Sequence, residues 1–219
     1  MEYAPEIIHL DLTGRCNLSC VHCRGTYSKE DISQDDWKKI INQISSHWSE
    51  HIKWIEIGGG EPFLREDLFS ILEYIKFKIP RSKILLVTNG ILVNEIHFPL
   101  IKKFVDRIQF SIDGANKQTH DFIRKKEGCF EKTLSIIKSL RSFDHKSYIL
   151  LRATINKLNL SEVEGIIKMA KELNINEVGM RSMVVSRGSS VENQKISLSR
   201  NQYSKLLRKI PELQSKYKI

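Results

Sequence analysis

At 219 residues, 41% hydrophobic and 8% aromatic, the chain has a globular composition and enough length for one sizeable core, which predicts a single domain over 1–219. No apolar run approaches the roughly 18 residues of a membrane span, and the opening "MEYAPEIIHLDL" lacks the basic start and apolar stretch of a signal peptide. The expectation is a cytoplasmic protein with no membrane partner.

Short β-rich runs alternate with longer segments of helical period. In chain order, "IIHLDLT" (7–13) reads as a strand and 33–49 as a helix; "IKWIEIG" (52–58) is followed by a helix over 66–79, and "KILLVTN" (83–89) by one over 94–103. "VDRIQFSID" (105–113) precedes a helix over 117–141, and "YILLRATIN" (148–156) one over 160–173. "NEVGMRSMVV" (176–185) comes before a last helix over 199–217. Six βα units in a row predict parallel strands with crossover helices, because each strand is buried under its own helix.

The last helix carries much of the formal charge of +9. Residues 200–219 hold Arg200, Lys205, Arg208, Lys209, Lys216 and Lys218 against Glu212, six cations less one carboxylate, or +5. Such a strip reads first as a solvated helix face, and then as an attractor for an acidic partner. Nucleic acid is disfavoured, since there are neither interleaved aromatics for base stacking nor a recognisable binding module.

The unusual residues cluster at strand carboxyl ends. Cysteines follow the first strand, "GGGEP" the second, "TNG" ends the third, "SIDG" the fourth, and "RSMVVSRG" closes the sixth. That is the rim on which parallel βα folds build their sites. In "GRCNLSCVHCRG", Cys16, Cys20 and Cys23 fall within eight residues, while Cys129 stands apart. Cysteines this close in a reducing compartment read as ligands or catalytic thiols. A closed zinc site wants four ligands, commonly from two CxxC-like pairs, and only one triplet is present. His22, adjacent to Cys23, would turn to the same metal with difficulty. An iron–sulfur cubane with three thiolates and one open iron is the better match.

The CxxxCxxC spacing of "CNLSCVHC", with "GGGEP" after the next strand and "SIDG" after the fourth, closely resembles the radical S-adenosylmethionine (radical SAM) enzymes over residues 7 to about 188. The resemblance implies a partial (β/α)6, TIM-like barrel of parallel strands. It implies that Cys16, Cys20 and Cys23 hold a [4Fe–4S] cluster whose open iron binds S-adenosylmethionine. Reductive cleavage then gives a 5′-deoxyadenosyl radical that takes hydrogen from substrate. Gly59, Gly60, Glu61 and Pro62 resemble the motif that binds the cofactor's amino group, where glycines admit close backbone approach and a carboxylate matches the charge. His22 stands where many members carry a ring that packs on adenine. Ser111 and Asp113 resemble strand-four residues that contact the methionine carboxylate or ribose, with "DG" as a plain turn the alternative reading for Asp113. Thr88 and Asn89 lie on the equivalent rim of strand three. Arg152, in the apolar "LLRATIN", pairs with the bound carboxylate if it faces inward, and alternation leaves the outward face open. Arg124 resembles an arginine common after "SIDG" in one branch.

"SIDG…HDFIRKKEGCF" and "RATINKLNLSEVEGIIKMAKEL" resemble the branch that modifies peptides, activates sulfatases or matures cofactors. The implied substrate is therefore a peptide, a protein or a cofactor precursor, and the implied electron donor an acidic flavodoxin or ferredoxin. Those relatives usually continue into a cysteine-rich extension, so both a compact member and a fragment stay open. "GGEP" followed by Phe63, Leu64 and Arg65 also resembles the nucleotide-rearranging enzymes of molybdenum-cofactor assembly. A non-catalytic binder is a third reading, which the intact motifs oppose.

Overall fold

The computed structural model describes residues 4–23, 30–183 and 191–218. The six strands are β1 (Ile7–Thr13), β2 (Trp54–Gly59), β3 (Lys83–Thr88), β4 (Arg107–Ser111), β5 (Ile149–Ile155) and β6 (Glu177–Ser182), and they pair in sequence order. β1 with β2, β2 with β3, and β5 with β6 run parallel. The helices are α1 (Gln34–Trp48), α2 (Leu68–Lys78), α3 (Phe98–Phe104), α4 (Lys117–Arg124), α5 (Cys129–Phe143), α6 (Val163–Glu172), α7 (Val191–Ile196) and α8 (Arg200–Tyr217). No helix among the described residues is long and apolar enough to cross a membrane.

The chain resolves into two compact units, one holding the described residues up to 17, 30–109 and 139–148, the other 18–23, 110–138, 149–183 and 191–218. The first is built on strand alternation. Leu10 and Leu12 of β1, Ile55 and Ile57 of β2, and Ile84 and Leu86 of β3 bury one face under Trp37 and Ile41 of α1 and Ile71, Leu72 and Ile75 of α2. Each such side chain taken from water is worth about 1.5–3 kcal/mol. α1 begins where Ser33 accepts from the Asp36 N–H at 3.1 Å, with Asp35 and Asp36 in its first turn.

In the second unit Ala153 and Ile155 of β5 pack under Val163, Ile166 and Ile167 of α6 and Leu206 and Leu213 of α8. The helix expected over 117–141 is instead two. Lys125 ends α4 in the left-handed region at φ 53°, Gly128 follows at φ 75°, and α5 starts at Cys129. The Asp121 carboxylate makes the restart possible by accepting from the N–H groups of Gly128 (2.7 Å) and Phe130 (2.9 Å). β6 spans six of the ten residues expected at 176–185, and residues 184–190, with most of "RSMVVSRG", lie outside the described residues.

α8 opens with a capping box between Ser199 and Gln202. It is held to α6 by Glu164, which takes Lys216 at 2.7 Å, Lys209 at 3.3 Å and the Tyr217 hydroxyl at 3.1 Å. Part of the basic strip is thus an internal clasp. Hydrogen bonds from Lys216, Lys209 and Tyr217 hold Glu164 down to about 2 from the ordinary 4.5. A folded value below the unfolded one means the stabilisation is present above pH 4.5 and is lost as pH falls towards 2. A Glu164→Gln variant should therefore lose less stability than wild type between pH 4.5 and 2, as read by urea titrations across that window.

Candidate functional site

In the first unit the cysteine loop leaves β1 through Thr13, Arg15 and Cys16. The glycine stretch closes on it main chain to main chain. Gly60 N donates to Thr13 O and Glu61 N to Arg15 O, both at 2.8 Å. A Cβ on Gly60 would lie 2.0 Å from Arg15 O, and one on Gly59, at φ 106°, 2.4 Å from Thr13 O. Only glycine fits at these two positions.

A polar collar fixes the same loop from its other side. Thr13 donates to Asp31 at 2.6 Å, and the Arg15 guanidinium grips the other Asp31 oxygen at 2.7 and 2.9 Å. Buried Arg65 donates to Leu12 O and Ile32 O and forks onto Asp67. Burial pushes the Asp31 carboxyl up, but the hydrogen bonds from Thr13 and Arg15 outweigh it and leave it below the usual range.

Glu61 is fully buried. One carboxylate oxygen accepts from Thr88 Oγ1 (2.8 Å) and Phe63 N (3.2 Å), the other from Asn89 N (2.8 Å). The side chain thus ties the end of β2 to the end of β3, and what the stretch 59–61 has left to offer is backbone. Buried Pro62 starts a short 3-10 turn with Glu61 as its cap. Asn89 in turn donates to Asn17 Oδ1 at 2.7 Å, joining β3 to the residue after Cys16.

In the second unit Cys20 is half-buried and Cys23 exposed. Cys23 N returns to Cys20 O at 3.0 Å, and Val21 N donates to Ile123 O at 2.8 Å, which docks the cysteine turn on the end of α4. The next residue, Arg124, points back into the turn: Nη1 reaches Cys20 Sγ at 3.8 Å and Nη2 meets Asp113 Oδ2 at 2.7 Å. Asp113 is fully enclosed. Its Oδ1 accepts from Thr154 N at 2.7 Å, its own N–H donates to His120 Nδ1, and Asn159 donates to its carbonyl. The "DG" is therefore a junction of β4, α4 and β5 rather than a plain turn.

His22 lies 3.6 Å from Asp113 Oδ2 through Nε2, with Nδ1 buried and unpartnered. Burial holds its pKa below the ordinary value, against the pull of Asp113. Burial likewise raises the Cys20 thiol, with Arg124 opposing. Ser111 is half-buried at the end of β4. Arg152 stands on the face of β5 opposite Ala153 and Ile155, away from α6, with its guanidinium beside Gly179 of β6.

None of the four cysteines is in a disulfide. Cys129 is buried and donates to Asp121 at 3.2 Å, and burial with that carboxylate pushes it up to about 12, so it behaves as a capping thiol. Of the remaining three, Cys16 follows a loop start closed by a glycine backbone in the first unit, and Cys20 has a guanidinium beside it, with a buried unpartnered imidazole nitrogen at His22, in the second; each is a setting that suits a thiolate ligand of an iron–sulfur cluster. Asn17, Asp31, His120 and Asn159 belong to this architecture without having been singled out in the sequence. Only Asn17, beside a cysteine, carries a local hint.

The Radical SAM superfamily description matches residues 10–170. The AdoMet-dependent heme synthase of Methanosarcina barkeri is 34% identical over 224 residues, covering 100% of this chain and 61% of the relative. The antilisterial bacteriocin subtilosin biosynthesis protein AlbA of Bacillus subtilis is 30% identical over 178 residues, 77% of this chain and 38% of the relative. The chain thus spans about two fifths to three fifths of the length of these two relatives. In fold it is similar to Streptococcus suis SuiB, solved bound to the precursor peptide SuiA, with a TM-score of 0.80 at 14% identity over 98% of this chain and 47% of that one. That likeness bears out the expected fold class, six parallel strands in an α/β core.

A Gly60→Ala variant should move the cysteine loop or the glycine stretch. The expected outcome is a lower thermal midpoint and at least a severalfold loss of iron retained after anaerobic reconstitution, measured against wild type.

Proposed function

The chain belongs to the radical SAM superfamily, whose members bind a [4Fe–4S] cluster and S-adenosylmethionine, and from that premise we propose that it directs radical chemistry at a peptide, a protein or a cofactor precursor. When bound, the two cofactors supply a 5′-deoxyadenosyl radical by one-electron cleavage of the sulfonium. The observation that carries the reading is the setting of the cysteines: within the first unit the Gly60–Glu61 backbone closes on the loop that leads into Cys16, and within the second the Arg124 guanidinium reaches Cys20.

Cys16, Cys20 and Cys23 hold the cluster. The backbone of Gly59, Gly60 and Glu61 receives the cofactor's amino group, while Thr88, Asn89 and Pro62 shape that backbone around the buried Glu61 carboxylate. Ser111 and Arg152 meet the carboxylate, an assignment supported by the place of Arg152 on the face of β5 turned away from α6. His22 offers a flat neutral ring for adenine. Asp113 positions Arg124 and β5. The substrate class rests on relatives named for heme synthesis and bacteriocin biosynthesis.

Anaerobically reconstituted protein given dithionite and S-adenosylmethionine should release 5′-deoxyadenosine, and the Cys16→Ala, Cys20→Ala, Cys23→Ala triple variant should release none. Wild-type protein with a full complement of iron and sulfide and no product would overturn the reading.

The physiological donor is an acidic flavodoxin or ferredoxin docking on α8. Lys205 and Arg208 are exposed there, whereas Lys209 and Lys216 engage Glu164. Lys205→Glu with Arg208→Glu should slow reduction by flavodoxin severalfold at low salt and leave dithionite reduction unchanged. Equal flavodoxin rates would sink this docking surface.

A further inference from the structure

Arg124 is separated from Cys20 by 104 positions in sequence, yet its guanidinium lies within sulfur hydrogen-bond reach of that thiol. The approach does not depend on a long, free side chain. Val21 N to Ile123 O clamps the cysteine turn to the residue before Arg124, and Asp113 takes the opposite edge of the guanidinium at 2.7 Å. The side chain is 10% exposed and that of Asp113 0%, so this cation acts through a poorly screened medium. A guanidinium keeps its charge at any accessible pH, and Asp113 pairs with it at 2.7 Å.

We propose that Arg124 is a positioning residue that sets the reduction potential of the cluster through Cys20, and that Asp113 holds it in place while limiting how strongly its charge is felt. The inference rests on the assignment of Cys16, Cys20 and Cys23 as cluster ligands. Reduction adds one electron, taken from a one-electron donor, and lowers the core charge from 2+ to 1+. No bond to the protein forms or breaks and no proton moves. Negative charge on the ligand sulfurs grows in that step, so a hydrogen-bonding cation at Cys20 favours the reduced state and raises the potential. Asp113, an anion on the far side of the same guanidinium, works in the opposite sense.

The two residues therefore make opposite predictions, which a merely structural role would not. In EPR-monitored redox titrations of reconstituted protein, Arg124→Gln should lower the reduced-to-oxidised ratio at fixed potential about tenfold, a downward shift of about 59 mV for one electron. Asp113→Asn should raise that ratio. An unchanged or raised potential in Arg124→Gln with full iron and sulfide overturns the inference. If Arg124→Gln fails to hold its cluster, Asp113→Asn decides: a raised potential supports the inference, an unchanged or lowered one overturns it. Wild-type protein that binds no iron overturns the ligand assignment itself, and this inference with it.

Discussion

The first unit depends on one close approach, the contact of residues 59–61 with the main chain of Thr13 and Arg15. It removes any Cβ from Gly59 and Gly60 and so sets where the cysteine loop begins. Because main-chain groups make the contact, the loop's start is insensitive to the rotamers around it. The collar of Arg15, Asp31, Arg65 and Asp67 then adds polar closure from the side. Glycine and glutamate in "GGGEP" hold separate offices: the glycines seat the loop, and the glutamate joins β2 to β3.

In the second unit the equivalent constraint is a buried ion pair. Arg124 and Asp113 lose their hydration together, and the attraction between them, with the hydrogen bond from Thr154 N to the other carboxylate oxygen, offsets part of that loss, while Arg124 Nε stays buried without a partner. Such a pair adds little net stability, but removing one partner typically costs about 3–5 kcal/mol. Its position beside Cys20 is easier to understand as placement of charge than as a contribution to stability. His120 belongs to the same arrangement. Its Nδ1 accepts from Asp113 N, and burial, chiefly, lowers its pKa to about 4, so the ring stays neutral beside the guanidinium.

Much of this was legible in the residues. Strand periodicity located all six strands, because parallel strands under helices leave continuous apolar runs such as "KILLVT". The motif positions placed the cysteines and the glycine stretch at carboxyl ends. What stayed hidden depends on contacts distant in sequence. The break after Arg124 lies within a sequence of helical period, and it takes the left-handed Lys125 and the Asp121 cap to end one helix and start another. Arg152 could not be oriented until Ala153 and Ile155 were seen under α6. Asp31 and Asn159 sit in polar stretches that would suit any loop, and only their partners reveal their roles.

The link between Asn89 and Asn17 has a consequence for chemical ageing. Asn89 precedes Gly90, the dipeptide most prone to deamidate, a reaction in which the glycine nitrogen attacks the side-chain amide and ammonia departs. Here the attacking nitrogen donates to Thr88 Oγ1 at 3.0 Å, the amide oxygen accepts from Ile91 N at 3.0 Å, and the amide nitrogen is held by Asn17. The fold therefore immobilises nucleophile and leaving group alike. An unfolded chain has no such protection, and a carboxylate formed at position 89 would lie beside Glu61 and could no longer donate to Asn17. Time spent unfolded would thus leave a lasting covalent mark at the rim of β3, one that refolding does not erase.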